Sequence, residues 1–360
     1  MPITGNKGEW SEVYVLFKLL ADGKLFVAAD ENLSKNDDAY YEILKVFRKE
    51  NVGDLIFAYD DEAEHVKIVL ERNNELLILV PRKEFKDSAS RLLYDILSMK
   101  SPAFSNRMTE EFLEKLHCSK LKAPASKKTD IKVQIYDVRA NLNPVLGFSI
   151  KSRLGSPSTL LNASNTNITY RVSGAVTDYI KDSFNHLKRF QDRFDLLFNA
   201  RCGVEYEKID NEVFRNNLLL IDSRLPELTA SLLVEYYAFG NRAVVDAIKS
   251  LKDKNPLKYD IAVHPFYEYK FQKLLSEVAL GMTPSKPWTG KADATGGYII
   301  VKEDGEIVCY HLYNRNEFDE YLLNNTCFET PSTSRHGFGK MYKENGEYFV
   351  KLNIQIRFMK

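Results

Sequence analysis

Two periods of apolar residues run through this chain and sort it into helices and strands. Residues 10–20 (WSEVYVLFKLL) place Val13, Leu16, Phe17 and Leu20 on one helical face. Glu9 and Glu12 fall in the first turn, where acids suit the helix dipole. Residues 39–50 (AYYEILKVFRKE) read as a second amphipathic helix. Residues 55–59, 66–71 and 76–81 alternate with period two, broken by DDEAEH and RNN, and predict a small meander. Helices follow at 88–98 and 109–117.

Two strands, at 132–136 (KVQIY) and 145–151 (VLGFSIK), then flank a short link. In the second, Leu146, Phe148 and Ile150 face a core, while Ser149 and Lys151 share the other side. Residues 170–172 form a short strand. Segments 178–198, 212–221, 226–239, 241–249 and 260–280 read as helical, the last after His264-Pro265. Alternation returns at 298–302 and 307–312 around an Asp304-Gly305 turn, followed by a short helix at 318–323. Residues 348–358 (YFVKLNIQIRF) read as one long strand with Asn353, Gln355 and Arg357 on one face.

Composition narrows the class. A chain of 360 residues with 44% hydrophobic content can bury a sizeable core. Fifty basic and fifty acidic residues cancel, which weakens any nucleic-acid reading based on overall charge, although charges can still segregate on the surface. The four cysteines are scattered, fit neither a disulfide framework nor a zinc site, and point to a reducing compartment. The start MPITGNKGEW lacks a signal-peptide core, and no run approaches the roughly 18 apolar residues of a membrane span. There is no P-loop, dinucleotide fingerprint, H-E-x-x-H motif or G-x-S-x-G elbow.

The candidate chemistry sits on the two central strands. A lysine is rarely buried without a partner. Lys151, beside Ser149 near the end of an otherwise buried strand, asks for an acid. Asp137, closing the preceding strand, is the expected one, meeting Lys151 at the open end of an antiparallel hairpin. A carboxylate can hold Mg²⁺, and an ammonium can position water and offset phosphate charge. Glu9 is the candidate second ligand, with Glu12 as fallback and the Ile150 backbone carbonyl as a further oxygen. The unit resembles that of the PD-(D/E)xK nucleases, except that Ser149 stands where an acid is usual. A rival chemistry makes Ser149 a nucleophile and Lys151 its base.

Residues 120–129 (KLKAPASKKT) read either as a solvated linker or as phosphate contacts flanking the site. Candidate DNA contacts are Arg153, Ser156, Asn162 and Ser164 in and beside a Ser/Thr/Asn-rich tract. Arg335 and His336 in the loop STSRHGFG, and Gln355 and Arg357 on the last strand, join them.

Longer stretches carry a family resemblance. GNKGEWSE, GFSIKSRLGSPSTLLNAS, TPSTSRHGFGKMY and LNIQIRF resemble the HpaII-type type II restriction endonucleases, and the likeness runs from about residue 5 to 358. It implies an α/β (α+β) fold: a restriction-endonuclease-like core with a central mixed sheet flanked by helices, plus helical and small β insertions. It implies Mg²⁺-dependent cleavage of double-stranded DNA at 5′-CCGG after the first cytosine, sensitive to cytosine methylation. It also implies a companion cytosine methyltransferase and a bacterial cytoplasmic setting. A palindromic site favours a homodimer. Residues 1–128 are then expected to form a helical region with a small meander, lending its first helix to the core. Residues 129–360 form the catalytic and DNA-recognition core, or the two parts make one integrated domain. A catalytically silent DNA-binding protein and a Ser-Lys hydrolase remain the alternatives.

Overall fold

Helix α1 (Lys7–Asp22) begins where Asn6, closing strand β1 (Thr4–Asn6), forms a capping box with Glu9. Asn6 Oδ1 accepts from the Glu9 amide at 3.0 Å, and Glu9 Oε2 accepts from the Asn6 amide at 2.9 Å. The helix stops at Gly23, whose φ of +69° suits a residue without Cβ. The expected apolar face is present but too narrow a description. Trp10, Tyr14, Val15 and Leu19 are buried along with Val13, Leu16, Phe17 and Leu20, so α1 lies inside a core.

The computed structural model describes residues 3–121, 128–138 and 141–359, and they form two units, 1–158 with 292–318 and 159–291 with 319–359. In the first unit α1 is followed by β2 (Lys24–Ala28), β3 (Lys35–Glu50), β4 (Gly53–Tyr59), β5 (His65–Leu70) and β6 (Glu75–Pro81). Next come α2 (Arg82–Ser98), β7 (Ala103–Ser105), α3 (Arg107–Lys115) and the hairpin β8 (Ile131–Tyr136) and β9 (Val145–Ser152). The second unit opens with β10 (Thr159–Leu161), β11 (Asn167–Ser173), α4 (Asp178–His186), α5 (Phe190–Asn199) and β12 (Gly203–Ile209). It continues with α6 (Glu212–Ile221), α7 (Leu225–Phe239), α8 (Val244–Lys254) and α9 (Phe266–Leu280). The chain returns to the first unit for β13 (Gly297–Val301) and β14 (Ile307–His311), and α10 (Arg315–Asn324) leads out again. The last elements are β15 (Thr326–Phe328), α11 (Thr333–His336), β16 (Met341–Glu344), β17 (Glu347–Asn353) and β18 (Ile356–Phe358).

The fold is mixed α/β. The first unit holds a nine-stranded sheet in the order β2-β14-β13-β9-β8-β3-β4-β5-β6, and β2 also pairs with β3. Six strands therefore close into a barrel-like ring, and β4, β5 and β6 extend it as the expected meander. β9 lies in the ring between β8, antiparallel, and β13, parallel. Strands buried on both sides read as near-continuous apolar runs, as GYIIV in β13 does. The second unit carries two smaller sheets, β12-β11-β17-β16 and β10-β18-β15, with helices α4 to α9.

Three elements differ from their sequence reading. Residues 39–50 are strand, not helix. Tyr41 and Ile43 point inward at period two, and then a register shift between Ile43 and Lys45 makes Val46 the next inward residue. That bulge produces a three-residue step, which mimics helical spacing. The 178–198 segment breaks into α4 and α5 at Leu187, whose carbonyl accepts from Arg193 Nε at 2.9 Å. The last strand divides between two sheets, β17 pairing with β11 and β18 pairing with β10 and β15. Asn353 at the break is 1% exposed, and its amide donates to Ala163 O and Asn167 Oδ1. It is therefore no part of an open reading face.

Candidate active site

The β8–β9 register decides which residues can meet. Ile131 pairs with Phe148 and Gln134 with Val145, so the turn lies beyond Tyr136 and the open end lies before Ile131. Asp137 pairs with Leu142 at the turn and is 2% exposed. Ser149 and Lys151 lie at the opposite end. Six residues separate Asp130 from Asp137, roughly 23 Å of extended chain. The expected meeting of Asp137 with Lys151 therefore does not occur, because Asp137 sits at the turn and Lys151 beyond the open end.

The acid at the open end is Asp130. Its amide donates to Phe148 O at 2.9 Å, continuing the hairpin past the last paired residue. Its carboxylate Oδ2 accepts from Ser149 Oγ at 3.0 Å and from the Ile150 amide at 2.7 Å. Ser149 is 1% exposed, and its hydroxyl is spent on that carboxylate. Lys151 stands beside this group with its ammonium 5.3 Å from the centre of the buried Tyr298 ring on β13. Burial holds the Lys151 pKa below the usual lysine range, while the charges of Asp130 and then Glu12 oppose that shift.

Helix α1 brings a carboxylate toward the same end, that of Glu12, the fallback candidate, rather than Glu9. Glu9 serves the capping box at the helix start. Glu12, half-buried three residues on, is the helix carboxylate whose charge reaches Lys151. Ser11 fixes the helix against β9, with Ser11 Oγ and Ser152 Oγ 2.8 Å apart.

A strap from 292 to 296 closes over the same end. Thr129 Oγ1 donates to Asp293 O at 2.6 Å, and the Gly296 amide donates to Gly147 O at 2.7 Å. A Cβ at Gly147 would sit 2.7 Å from the Thr129 side chain, so this strand glycine leaves room for Thr129 to reach the strap. Lys128 lies under the strap, its amide 3.5 Å from Asp293 Oδ2. Its pKa is pulled down to about 8, first by burial and then by the charge of Lys151, against Asp130 and Asp293. Lys122 and Lys127 of the basic segment lie outside the described residues.

Sequence reasoning missed Asp130 and Asp293, and took Lys128 only as part of the basic segment 120–129. The register that reveals Asp130 is fixed by the Asp137–Leu142 bridge, which the strand bounds read from the sequence do not give. With the turn centred between Asp137 and Leu142, antiparallel pairing sets Ser149 against residue 130.

The candidate DNA contacts divide between the units. Arg153 follows β9, its amide donating to Val301 O at 2.9 Å, and Ser156 is exposed in the loop beyond. In the second unit Ser164, Arg335 and His336 come together, which the sequence spacing of 171 residues did not foretell. They line a cleft of about 450 Å³ with Asn165, Asp210 and Asn211. Asn167 Nδ2 donates to His336 O at 2.8 Å and holds α11 to β11. Asn162 is exposed just after β10. Gln355 sits in the break between β17 and β18, where its carbonyl accepts from the Glu329 amide. Arg357 is ion-paired with Glu329 at 2.5 Å, so its guanidinium has a partner within its own unit.

Comparison with known proteins identifies the class. Residues 6–358 match the family described as HpaII restriction endonuclease, and the chain belongs to that family. It is 42% identical over 359 residues to the type II restriction enzyme HpaII of Haemophilus parainfluenzae, covering 99% of both chains. The expected membership of the HpaII-type family is thus borne out. No solved structure matches the chain. No helix among the described residues is long and apolar enough to cross a membrane.

Proposed function

We propose that this type II restriction endonuclease hydrolyses double-stranded DNA at 5′-CCGG, after the first cytosine, with Asp130 and Lys151 at its reacting centre. The observation that carries the site is the Asp130 carboxylate, tied to Ser149 Oγ and the Ile150 amide beside Lys151. The target sequence rests on the likeness to HpaII across the whole chain. A helix packed on a hairpin that bears Asp and Ser-x-Lys also favours the restriction-endonuclease-like core.

Mg²⁺ is the proposed cofactor. It usually takes one or two carboxylates and leaves its other positions to water and substrate oxygens. Among the described residues no group of three or more His, Cys, Asp or Glu could hold a metal ion. A sparse donor set of that kind suits Mg²⁺ and argues against a closed zinc site. Asp130 would be the first ligand and Glu12 the second, with Glu9 kept at its helix cap. A strand residue sends its N–H and C=O to the same edge, so the Ile150 carbonyl faces the side where its amide meets Asp130. It remains the proposed third oxygen. When bound there, Mg²⁺ supplies Lewis-acid polarisation of the scissile phosphate and acidifies a water.

The chain's own residues supply the rest. Lys151 holds the attacking water and offsets charge as the phosphorus becomes five-coordinate. Ser149 fixes the Asp130 carboxylate. Its buried hydroxyl, already donating, supports that positioning role over the nucleophile role.

Base reading is assigned first to the second-unit cleft. Arg335 would pair with guanine O6 and N7, with His336 and Ser164 beside it. Arg153, Ser156, Asn162 and Gln355 are the further contacts, and Arg357 joins them only by leaving Glu329. A two-fold homodimer on the palindrome, a companion cytosine methyltransferase and a bacterial cytoplasmic setting complete the reading.

The test is the end sequence of plasmid fragments made in Mg²⁺. Breaks between the first and second cytosine of CCGG are expected, and EDTA is expected to abolish them. Fragment ends at another sequence would contradict the target.

A further inference from the structure

The described residues place a second lysine at the open end of the β8–β9 hairpin. The segment 128–130 runs alongside Ser149 to Lys151, held by the Asp130 amide on Phe148 O and the Asp130 carboxylate on the Ile150 amide. Lys128 therefore enters the same side of the sheet as Asp130 and Lys151. Its position is not that of a chain end loose in solvent. Thr129 Oγ1 is tied to Asp293 O at 2.6 Å, the Lys128 amide faces Asp293 Oδ2, and Lys128 is half-buried.

The β8–β9 register, continued, sets Lys128 opposite Lys151 on one face, so two half-buried ammonium groups repel there, and partial burial raises the cost. An arrangement like this persists when the surroundings, or a ligand, supply negative charge. Asp130, Asp293 and Glu12 supply part of it. In the proposed mechanism Asp130 and Glu12 are committed to a divalent cation, which adds positive charge at the same end. The missing counter-charge then has to come from the substrate, and DNA carries it on its phosphates.

We propose that Lys128 contacts a phosphate of the cleaved strand beside the scissile group, so that the site holds its substrate with two lysines of different duty. Lys151 acts on the reacting phosphate, and Lys128 anchors the strand. This rests on the reading of Asp130 and Lys151 as the reacting centre. A phosphate contact of this kind adds affinity without reading sequence.

The experiment measures binding of a CCGG duplex, and of an unrelated duplex, to the full chain in Ca²⁺ over a range of salt. Wild type, Lys128→Gln, Lys128→Arg and Lys151→Ala are compared, each checked by thermal melting. Lys128→Gln is expected to weaken both duplexes about equally, by roughly five- to tenfold at low salt. It should also reduce the slope of log K against log salt by about 0.9, the value of one phosphate contact. Lys128→Arg should restore the slope. An unchanged slope in a folded Lys128→Gln variant overturns the proposal, and so does a loss confined to the CCGG duplex. If Lys151→Ala still cuts in Mg²⁺, the reading of the reacting centre fails instead, whatever Lys128 does.

Discussion

Each end of the β8–β9 hairpin carries an aspartate, and the two have different surroundings. Asp137, at the turn, is 2% exposed and bridges to Leu142. Asp130, at the open end, is partly exposed and accepts from a serine hydroxyl and a backbone amide beside a half-buried lysine. A carboxylate with one side anchored and another side open, next to an ammonium, can serve a substrate. Position along a strand does not separate these two, since both flank the same six residues. Pairing register separates them.

The same contrast holds on α1. Glu9 and Glu12 are one turn apart; the charge of Glu12 acts on Lys151, while Glu9 completes the capping box.

Substitutions can break or sharpen these pairs. The largest effect is expected at Lys151. Lys151→Ala should lower single-turnover cleavage in Mg²⁺ by about a thousandfold or more, as expected for loss of a group that stabilises transition-state charge. Binding of the duplex in Ca²⁺ should persist, as a filter or gel assay can show. Next comes Glu12→Gln, with a loss of roughly 10- to 100-fold that more Mg²⁺ partly recovers, read from rate against metal concentration. Equal rates for wild type and Glu12→Gln at low Mg²⁺ would remove Glu12 from the site. The smallest effect belongs to Glu9→Ala. It removes one half of the capping box and should cost about 1 kcal/mol or less of stability by denaturant melting, with the rate per folded molecule unchanged.

Much of this fold was legible in the sequence, and the failures have physical causes. The helix at 212–221 and the strands at 132–136 and 145–151 stand where the periodicity put them. β3 was hidden because a bulge converts strand spacing into a helix-like step. The division of the last strand was hidden because Asn353 looks like an exposed polar residue but serves as a buried clamp. At the site, Ser149 and Lys151 were visible from their shared strand face. Asp130 was passed over because it ends a lysine-rich segment that reads as linker, and because Asp137 ends a strand more cleanly. The grouping of Ser164 with Arg335 and His336 depends on long-range pairing of β11 with β17, which no local pattern encodes.

The account turns on which end of the hairpin does the chemistry. The direct measurement is single-turnover cleavage of a CCGG duplex in Mg²⁺ by Asp130→Asn and Asp137→Asn, side by side. Asp130→Asn is expected to lose about three orders of magnitude, and Asp137→Asn to cut within about threefold of wild type. Normal cleavage by Asp130→Asn, with the loss at Asp137→Asn, would contradict the assignment.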